Sequence, residues 1–537
     1  MNGSEPRGAG RRRDTVGGDF PFPFAPASVL YRAVERMGLN LFNTLTRSVQ
    51  EFVPLDPAGK KVGLYCCGPT VHDFAHIGNF RTFVFADLLR RTLEFKGYTL
   101  THVMNITDVE DKIIRRTREA GVSREEYTAR YEAEFFKDFD ALGCQRPQHT
   151  PRATEHIGEI IALIERLISR GIAYQAADRS VYFSIEKYRG AGGQYGQLVK
   201  LNFDALRPGE RVSSDEYAKE ALADFALWKA RVPEDGAVFW PSPWGEGRPG
   251  WHIECSAMSM KVLGPSFDLH LGGEDLIFPH HEDEIAQSEG AGRQPPGGRF
   301  VKYWLHGAHL MVEGKKMSKS LGNFFTLRDL LAKGFSGREI RWLLLQAHYR
   351  ESFNFTLDGL ASARESLARI EECLTRLLEF GDKTVGDIHV EQDPRDAALL
   401  QQFQDALDDD LNVSKAWGLI FAWIRDLNRS LSQEKLSPHQ AASALSAWKK
   451  LDQVLGLEFR PKTPLRMGEG HGAVPSGFRA DTTGETNAPL EVEHLAMERI
   501  KARQAKDFKR ADAIRDELKA KGWVIEDTPK GPRLKRP

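Results

Sequence analysis

Cys67, Cys255, His280 and Glu284 are the residues of this chain best suited to hold a metal ion. Soft thiolates with an imidazole and a carboxylate suit Zn²⁺. His280 and Glu284 stand four apart just after Pro279, so a helix beginning there would carry both on one face. Cys255 follows Trp251-His-Ile-Glu. Cys66 and Cys67 are neighbours on an expected strand, so their side chains point to opposite faces and only one should reach the site. There is no Cys-x-x-Cys pair. Spacing alone therefore leaves blander readings open: Cys255 as a small buried hydrophobe, and the HHEDE run as an acidic first turn favoured by the helix dipole. A zinc hydrolase would need an HExxH pattern, and His281-Glu-Asp-Glu-Ile285 lacks its second histidine.

Two further stretches could handle phosphate. His76-Ile-Gly-Asn79 lies where a strand-to-helix turn would aim free N–H groups and the positive dipole end at one spot. Gly78 would let a ring or phosphate approach the backbone, and His76 can donate to a phosphate oxygen. The alternative is a helix start with two polar caps. Gly314-Lys-Lys-Met-Ser-Lys-Ser-Leu-Gly322 suits a loop that closes over polyphosphate, with Lys316 and Lys319 offsetting charge on a leaving pyrophosphate. The alternative there is a solvated basic loop.

The elements around these residues follow from the apolar pattern. Val62–Cys67 reads as a buried strand closed by Gly68-Pro69. Residues 78–95 read as a helix with Phe83, Leu88, Leu89 and Leu93 on its apolar side, and 99–106 as a second strand. A strand, helix and strand in under fifty residues make a βαβ unit and imply a parallel sheet. Ile157, Ile160, Ile161, Ile164, Leu167 and Ile168 keep helical spacing up to the stop at Gly171, and 173–185 alternates like a hairpin. Strand-like segments return at 266–270 and 303–312. Beyond Phe355 the chain turns helical, with one stripe at Leu360, Leu367, Ile370, Leu374 and Leu377 and another at Trp417, Ile420, Phe421, Ile424 and Leu427. Residues 461–489 read as a Gly/Pro-rich linker, and a last helix carries Phe508, Ala511, Ile514 and Leu518.

The bulk numbers set outer bounds. At 537 residues, 41% hydrophobic and 28% charged, the chain is an ordinary globular protein of several domains, not a fibrous or disulfide-stapled one. A net charge of −1 excludes a uniformly basic nucleic-acid coat protein but not a local basic face. From Glu498 to Pro537 thirteen Lys/Arg stand against seven Asp/Glu, a net of +6. Five cysteines in so long a chain point to a reducing compartment. No window approaches the roughly 18 apolar residues of a membrane span, and prolines 21, 23 and 26 interrupt any secretory h-region.

Taken together, the motifs resemble the cysteinyl-tRNA synthetases, a family of class I aminoacyl-tRNA synthetases. The matching stretches are CGPTVHDFAHIGNFRTFVFADLLRR, NITDVEDKI, DFALWK, GWHIECSAMS, DLHLGGEDLIFPHHEDEIAQSE, KMSKSLGNF and AKDFKRADAIRDELKAKGWVIEDTPKGPR, in family order over roughly residues 38–537. The resemblance implies a Rossmann-like α/β catalytic core with an inserted subdomain, then an α-helical bundle and a small C-terminal domain. It implies that L-cysteine and ATP form cysteinyl-adenylate, whose cysteinyl group passes to the 3′ end of tRNA(Cys). It makes Cys67, Cys255, His280 and Glu284 the ligands of one Zn²⁺ per chain, and Mg²⁺ the companion of ATP. His76, Gly78 and Asn79 match the HIGH signature, with Asn79 in place of its second histidine; Lys316, Ser318 and Lys319 match KMSKS. Of these, His76, Asn79, Lys316 and Lys319 are the expected catalytic residues. Thr107 and Trp251 are expected to line the cysteine pocket, and Asp275 to meet the substrate ammonium. His72 stands where tyrosine is usual, with no role attached.

The expected layout is an N-terminal extension at 1–36, with Met37 a candidate start, then the first half of the catalytic domain at 37–125. An insertion at 126–225, the second catalytic half at 226–315, and the KMSKS loop with stem contacts at 316–355 follow. The chain closes with a helical bundle at 356–460, a linker at 461–490 and an anticodon-binding region at 491–537. A cytoplasmic monomer with no membrane partner is expected. The rival readings are a cysteine ligase acting on an aminosugar, which would lack the long helical and C-terminal parts, and a non-catalytic tRNA-binding paralogue, which loss of His76, Lys319 or a metal ligand would have favoured.

Overall fold

Short apolar strands buried on both faces build the centre of the molecule. A computed structural model describes residues 38–200, 224–292, 294–295, 298–317, 321–380 and 392–459, and at the C-terminal end 492, 495–496, 498–499, 502–503, 507–528 and 531–535. The expected extension at 1–36, the linker at 461–490, and Ser318 and Lys319 of the lysine loop lie outside the described residues.

A hairpin of β1 (Asn40–Asn43) and β2 (Ser48–Glu51) leads into β3 (Lys61–Cys66), α1 (Ile77–Phe95) and β4 (Thr99–Met104). α1 ends at Lys96, where Gly97 takes a left-handed φ of 87°. Then come α2 (Asp111–Ala120) and α3 (Arg124–Ala141). α3 sends Phe135, Phe136 and Phe139 into the same core as Phe80 and Phe83 of α1. Next, α4 (Ile157–Ser169) and a small antiparallel sheet of β5 (Ala173–Gln175), β6 (Val181–Phe183), β7 (Phe225–Ala230) and β8 (Gly247–Pro249) belong to a second core, as does α5 (Ile185–Gly190). The expected insertion at 126–225 thus holds two kinds of packing. Its first helix joins the main core, and its small sheet is completed by β7, which begins at residue 225, and by β8 beyond it.

α6 (Trp251–Leu263), β9 (Phe267–Gly273), α7 (Glu282–Gly290) and β10 (Val301–Gly307) complete the α/β part of the chain. The main sheet has the order β10–β9–β3–β4, all parallel, with Leu64 opposite Leu269 and Cys66 opposite Leu271. Leu64 and Cys66 face the α1 core, whereas Tyr65 and Cys67 face the second core. β4 lies on one side of β3 and β9 on the other, so the strand order reverses between β3 and β9. Such a switch point opens a crevice at the carboxyl ends of the strands.

The segment expected as one strand over 303–312 is two. β10 ends at Gly307, and β11 (Leu310–Val312) joins another sheet with β12 (Lys315–Lys316) and β13 (Phe353–Phe355). Between them run α8 (Leu327–Ala332) and α9 (Gly337–Leu344). The helical region is α10 (Leu357–Phe380), α11 (Pro394–Asp408), α12 (Val413–Ser432) and α13 (Pro438–Leu455). Both expected stripes are buried except Phe421, which is partly exposed and packs against the core. α13 shows how local signals fix a helix. Ser437 and Gln440 cap each other, Pro438 opens the first turn, and Gly456 closes it in the left-handed conformation.

Arg341 of α9, fully buried, joins the α/β core to the last bundle helix. Its Nη2 is 2.6 Å from Oδ2 of Asp87 on α1, and its Nε donates to the carbonyl of Leu455 at 2.7 Å. Arg91 also pairs with Asp87, at 2.7 Å, and donates to the carbonyls of Gly143 and Gln453.

At the C-terminal end, α14 (Phe508–Ala520) buries Ala511, Ile514 and Leu518 as its spacing implies. Phe508 is instead 59% exposed, because it sits at the first position of the helix, one residue after the Asp507 cap, off the buried stripe. A hairpin of β14 (Val524–Thr528) and β15 (Gly531–Lys535) follows, which the sequence pattern did not suggest.

Candidate functional site

Cys67 is the first residue past β3, at the switch point, and its N–H donates to the carbonyl of Leu271 on β9. Gly68 must be glycine here: a Cβ would lie 1.7 Å from the carbonyl oxygen of Asn105. The main chain therefore turns close beside β4 and holds the Cys67 thiol over the strand ends.

Around it gather Cys255 from α6 and Glu284 from α7, with His280 from the turn before α7. Their ligand atoms lie within 4.8 Å of one another and all four residues are buried. The Cys67 sulfur is 3.9 Å from that of Cys255 and 3.6 Å from Oε1 of Glu284. His280 Nε2 is 3.1 Å from the same Oε1. His280 and Glu284 do share a face, but the regular helix begins at Glu282. The preceding turn, Ile277–His281, is a wider π-type turn with Phe278 in an extended conformation.

The charges are consistent with a donor cluster. Burial pushes the Cys67 thiol well up, reinforced by Cys255 and Glu284. The hydrogen bond from Cys67 brings Cys255 down to about 6 against burial, so one thiolate is favoured in the pair. Burial alone would depress His280, but Cys255 and Glu284 outweigh it and raise it to about 10. Burial likewise works against the Glu284 anion, yet His270 and His280 hold its carboxyl at about 2. Two soft sulfurs, an imidazole and a carboxylate, dry and convergent, fit a zinc ion better than a hard cation that prefers oxygen.

Residues outside the expected set complete this centre. His270 Nε2 is 2.9 Å from Oε2 of Glu284, and His281 Nε2 is 3.3 Å from the Cys67 sulfur. Cys67, His270, His281 and Glu284 form a second, overlapping donor set. His252 Nδ1 is 2.9 Å from His280 Nδ1. A sequence signal existed for two of them. His270 interrupts the apolar run Asp-Leu-His-Leu of a buried strand, and His281 adjoins an expected ligand.

Of the three expected pocket residues, Trp251 touches this cluster, Thr107 bonds the neighbour of Cys255, and Asp275 lies just past β9. Thr107 is buried and donates to Oε2 of Glu254 at 3.1 Å while accepting from Asn105 Nδ2; both partners of its hydroxyl are side chains, not backbone. Glu254 itself is buried, and burial pushes its carboxyl well up. Trp251 opens α6, stacks on His280 with centroids 4.2 Å apart, and stays 38% exposed. Asp275 is exposed just past β9; its carboxylate folds over Gly273, where a Cβ would come within 2.3 Å of Oδ1.

Residues that flank the lysine loop contact the turn that carries His76. His76 caps α1: its Nδ1 accepts from the Asn79 N–H at 3.2 Å, and Asn79 Oδ1 accepts from the His76 N–H at 3.1 Å. The geometry shows the cap reading, in which reciprocal caps fix the helix start. The space above Gly78 belongs to the chain itself, since a Cβ would lie 3.0 Å from the His76 ring and 3.1 Å from Met317 Cε. The residues after the lysine loop return to this turn: Ile77 N–H donates to the Phe325 carbonyl, and the His76 and Phe324 rings are 5.2 Å apart. Lys316 lies exposed on β12, and Asn323 Nδ2 bonds the carbonyls of Val312 and Lys316.

Residues 52–365 match a family described as tRNA synthetases class I (C) catalytic domain. Residues 402–460 match a DALR domain, and 486–532 a cysteinyl-tRNA ligase anticodon binding domain. The cysteine–tRNA ligase of Chlamydia muridarum is 46% identical over 510 residues, covering 93% of this chain and all of that one. That of Protochlamydia amoebophila is 42% identical over 507 residues, covering 94% and 99%. Among solved structures, Mycobacterium tuberculosis methionyl-tRNA synthetase in complex with methionyl-adenylate has a TM-score of 0.54 at 16% identity, covering 74% of this chain and 90% of that one. An Agrobacterium radiobacter K84 LeuRS–tRNA–LeuAMS ternary complex has a TM-score of 0.52 at 12% identity, covering 76% and 85%. Among the described residues, no helix is long and apolar enough to cross a membrane.

Proposed function

The chain belongs to the cysteine–tRNA ligases, class I aminoacyl-tRNA synthetases, and on that premise we propose that Cys67, Cys255, His280 and Glu284 hold a zinc ion that selects the cysteine side chain. The observation that carries this reading is the burial of two thiols, an imidazole and a carboxylate within 4.8 Å at the switch point of the parallel sheet. Zinc held there would supply a soft Lewis acid that prefers a thiolate to a serine hydroxyl. A hydrophobic pocket alone separates such near-isosteres by only about 10²-fold.

The chain's own residues then do the positioning. Asp275, exposed at the end of β9 beside the crevice, meets the substrate ammonium by opposite charge. Thr107, oriented by Glu254, and Trp251, stacked on His280, line the pocket. The cysteine carboxylate attacks the α-phosphorus of ATP, and pyrophosphate leaves. The N-terminus of α1 offers its N–H groups and positive dipole end to the nucleotide. His76 and the amide Nδ2 of Asn79, which the cap does not use, are the side-chain donors. Lys316 and Lys319 offset the charge on the pyrophosphate, and Mg²⁺ accompanies ATP. No protein nucleophile is needed: orientation and charge carry the step. In the second step a hydroxyl of the tRNA 3′-adenosine attacks the adenylate carbonyl carbon and AMP leaves. The basic C-terminal region, +6 over residues 498–537, suits contact with tRNA phosphates.

The test is aminoacylation with cysteine, ATP and tRNA(Cys), with serine and an aminosugar acceptor as controls. Charging of tRNA(Cys) with cysteine alone is the expected result. Ligation of cysteine to the aminosugar with no charging of tRNA would contradict it.

A further inference from the structure

Behind the metal cluster runs a line of short contacts that the reaction above does not use. Cys67 Sγ is 3.3 Å from His281 Nε2, His281 Nδ1 is 2.7 Å from His306 Nε2, and His306 Nδ1 is 2.8 Å from the hydroxyl of Thr44. All four residues are buried. From this geometry we propose that Thr44 and His306 are positioning residues that hold His281 in one tautomer, with its Nε2–H donated to the Cys67 sulfur, and so set the donor strength of that sulfur toward the metal.

The direction of the line follows from its ends. A thiolate that ligates a metal only accepts, so the contact at Cys67 requires Nε2–H on His281. In the tautomer that carries Nε2–H, the His281 Nδ1 is an acceptor and requires Nε2–H on His306, 2.7 Å away. His306 Nδ1 becomes an acceptor in turn, and the Thr44 hydroxyl is the donor that satisfies it. Each proton has one place, and the hydroxyl fixes the whole series.

The surroundings hold the line rigid. Gly272 makes room for the His281 ring, since a Cβ there would lie 2.5 Å from its Cε1. The ring packs against His270, at 4.5 Å between centroids, and against Trp304 at 5.1 Å. The main chain of Trp304 is in turn tied to the hairpin that carries Thr44: its N–H donates to Asn43 Oδ1, and its carbonyl accepts from Thr44 N–H at 2.8 Å. Thr44 lies at the turn between β1 and β2, far in sequence from every ligand. Partners that orient a ligand are worth about ten- to a hundredfold in metal affinity.

This inference rests on the metal reading of the cluster, and one experiment separates the two. Zinc affinity is measured by chelator competition on the full chain, together with the sulfur-to-metal charge-transfer bands of the cobalt-substituted protein. Thr44→Val, close in shape but without the donor, should weaken zinc binding by about ten- to a hundredfold and shift those bands. Thr44→Ser should restore both, and His306→Leu should reproduce the loss. A Thr44→Val chain with unchanged affinity and bands would overturn the relay alone. An unsubstituted chain that takes up neither zinc nor cobalt would overturn the metal reading itself.

Discussion

Asn79 shows how one side chain can serve fold and chemistry with different atoms. Its Oδ1 closes the cap of α1 by accepting from His76 N–H, while its Nδ2 is the donor proposed for the nucleotide. Asn79→Asp separates the two. The carboxylate still accepts at the cap, and its charge suits a helix N-terminus, so the thermal midpoint should hold. It cannot donate, and it repels phosphate. Losing one hydrogen bond to a charged group costs about 1.5–3 kcal/mol, so ATP–pyrophosphate exchange should fall by about ten- to a hundredfold. Unchanged exchange would remove Asn79 from the nucleotide site. Residue types alone made Cys67, Cys255, His280 and Glu284 a candidate metal set with blander readings left open, and the resemblance made them the expected ligands. They did not show Thr44 or His306, which reach the cluster only through the hairpin and β10. A threonine in a turn and a histidine in an apolar strand carry no spacing that ties them to Cys67.

At the scale of elements, the junction of α1, α9 and α13 deserves its own test, because α1 carries the His76 turn at one end and meets the bundle at the other. Asp87 accepts from Arg91, Arg341 and the Gln145 N–H. Burial pushes its carboxyl up, but Arg341 and Arg91 outweigh that and hold it below the ordinary aspartate value. An acid depressed in the folded state contributes stability above its unfolded pKa and loses it as pH falls through the folded one. The contribution of Asp87 is therefore complete above about pH 4 and is lost below it. Asp87→Asn leaves Arg341 buried with its charge uncompensated, which costs about 3–5 kcal/mol. It should lower the thermal midpoint at neutral pH and flatten the acid limb of stability. An unchanged midpoint would contradict the junction. The elements themselves were largely legible. The βαβ unit, α4 and the bundle stripes follow apolar spacing that packing leaves intact. The break between β10 and β11 was not, because both are apolar and the two residues between them, Ala308 and His309, carry no turn signal. The β14–β15 hairpin was missed for the opposite reason, since its strands are mostly polar.

For the whole molecule, a net charge of −1 conceals a division of labour: a catalytic body whose donors converge at one sheet edge, and a basic end suited to nucleic acid. That the centre built on Cys67, Cys255, His280 and Glu284 chooses cysteine over serine is the proposal on which the rest depends. It is tested most directly by measuring cysteine- and serine-dependent pyrophosphate exchange, with zinc content, in the unsubstituted chain and in Cys255→Ala. About one zinc per unsubstituted chain is expected, with loss of zinc in the variant and cysteine preference falling toward the roughly 10²-fold that a plain pocket can supply. Undiminished cysteine activation and preference, with zinc content unchanged, would contradict it.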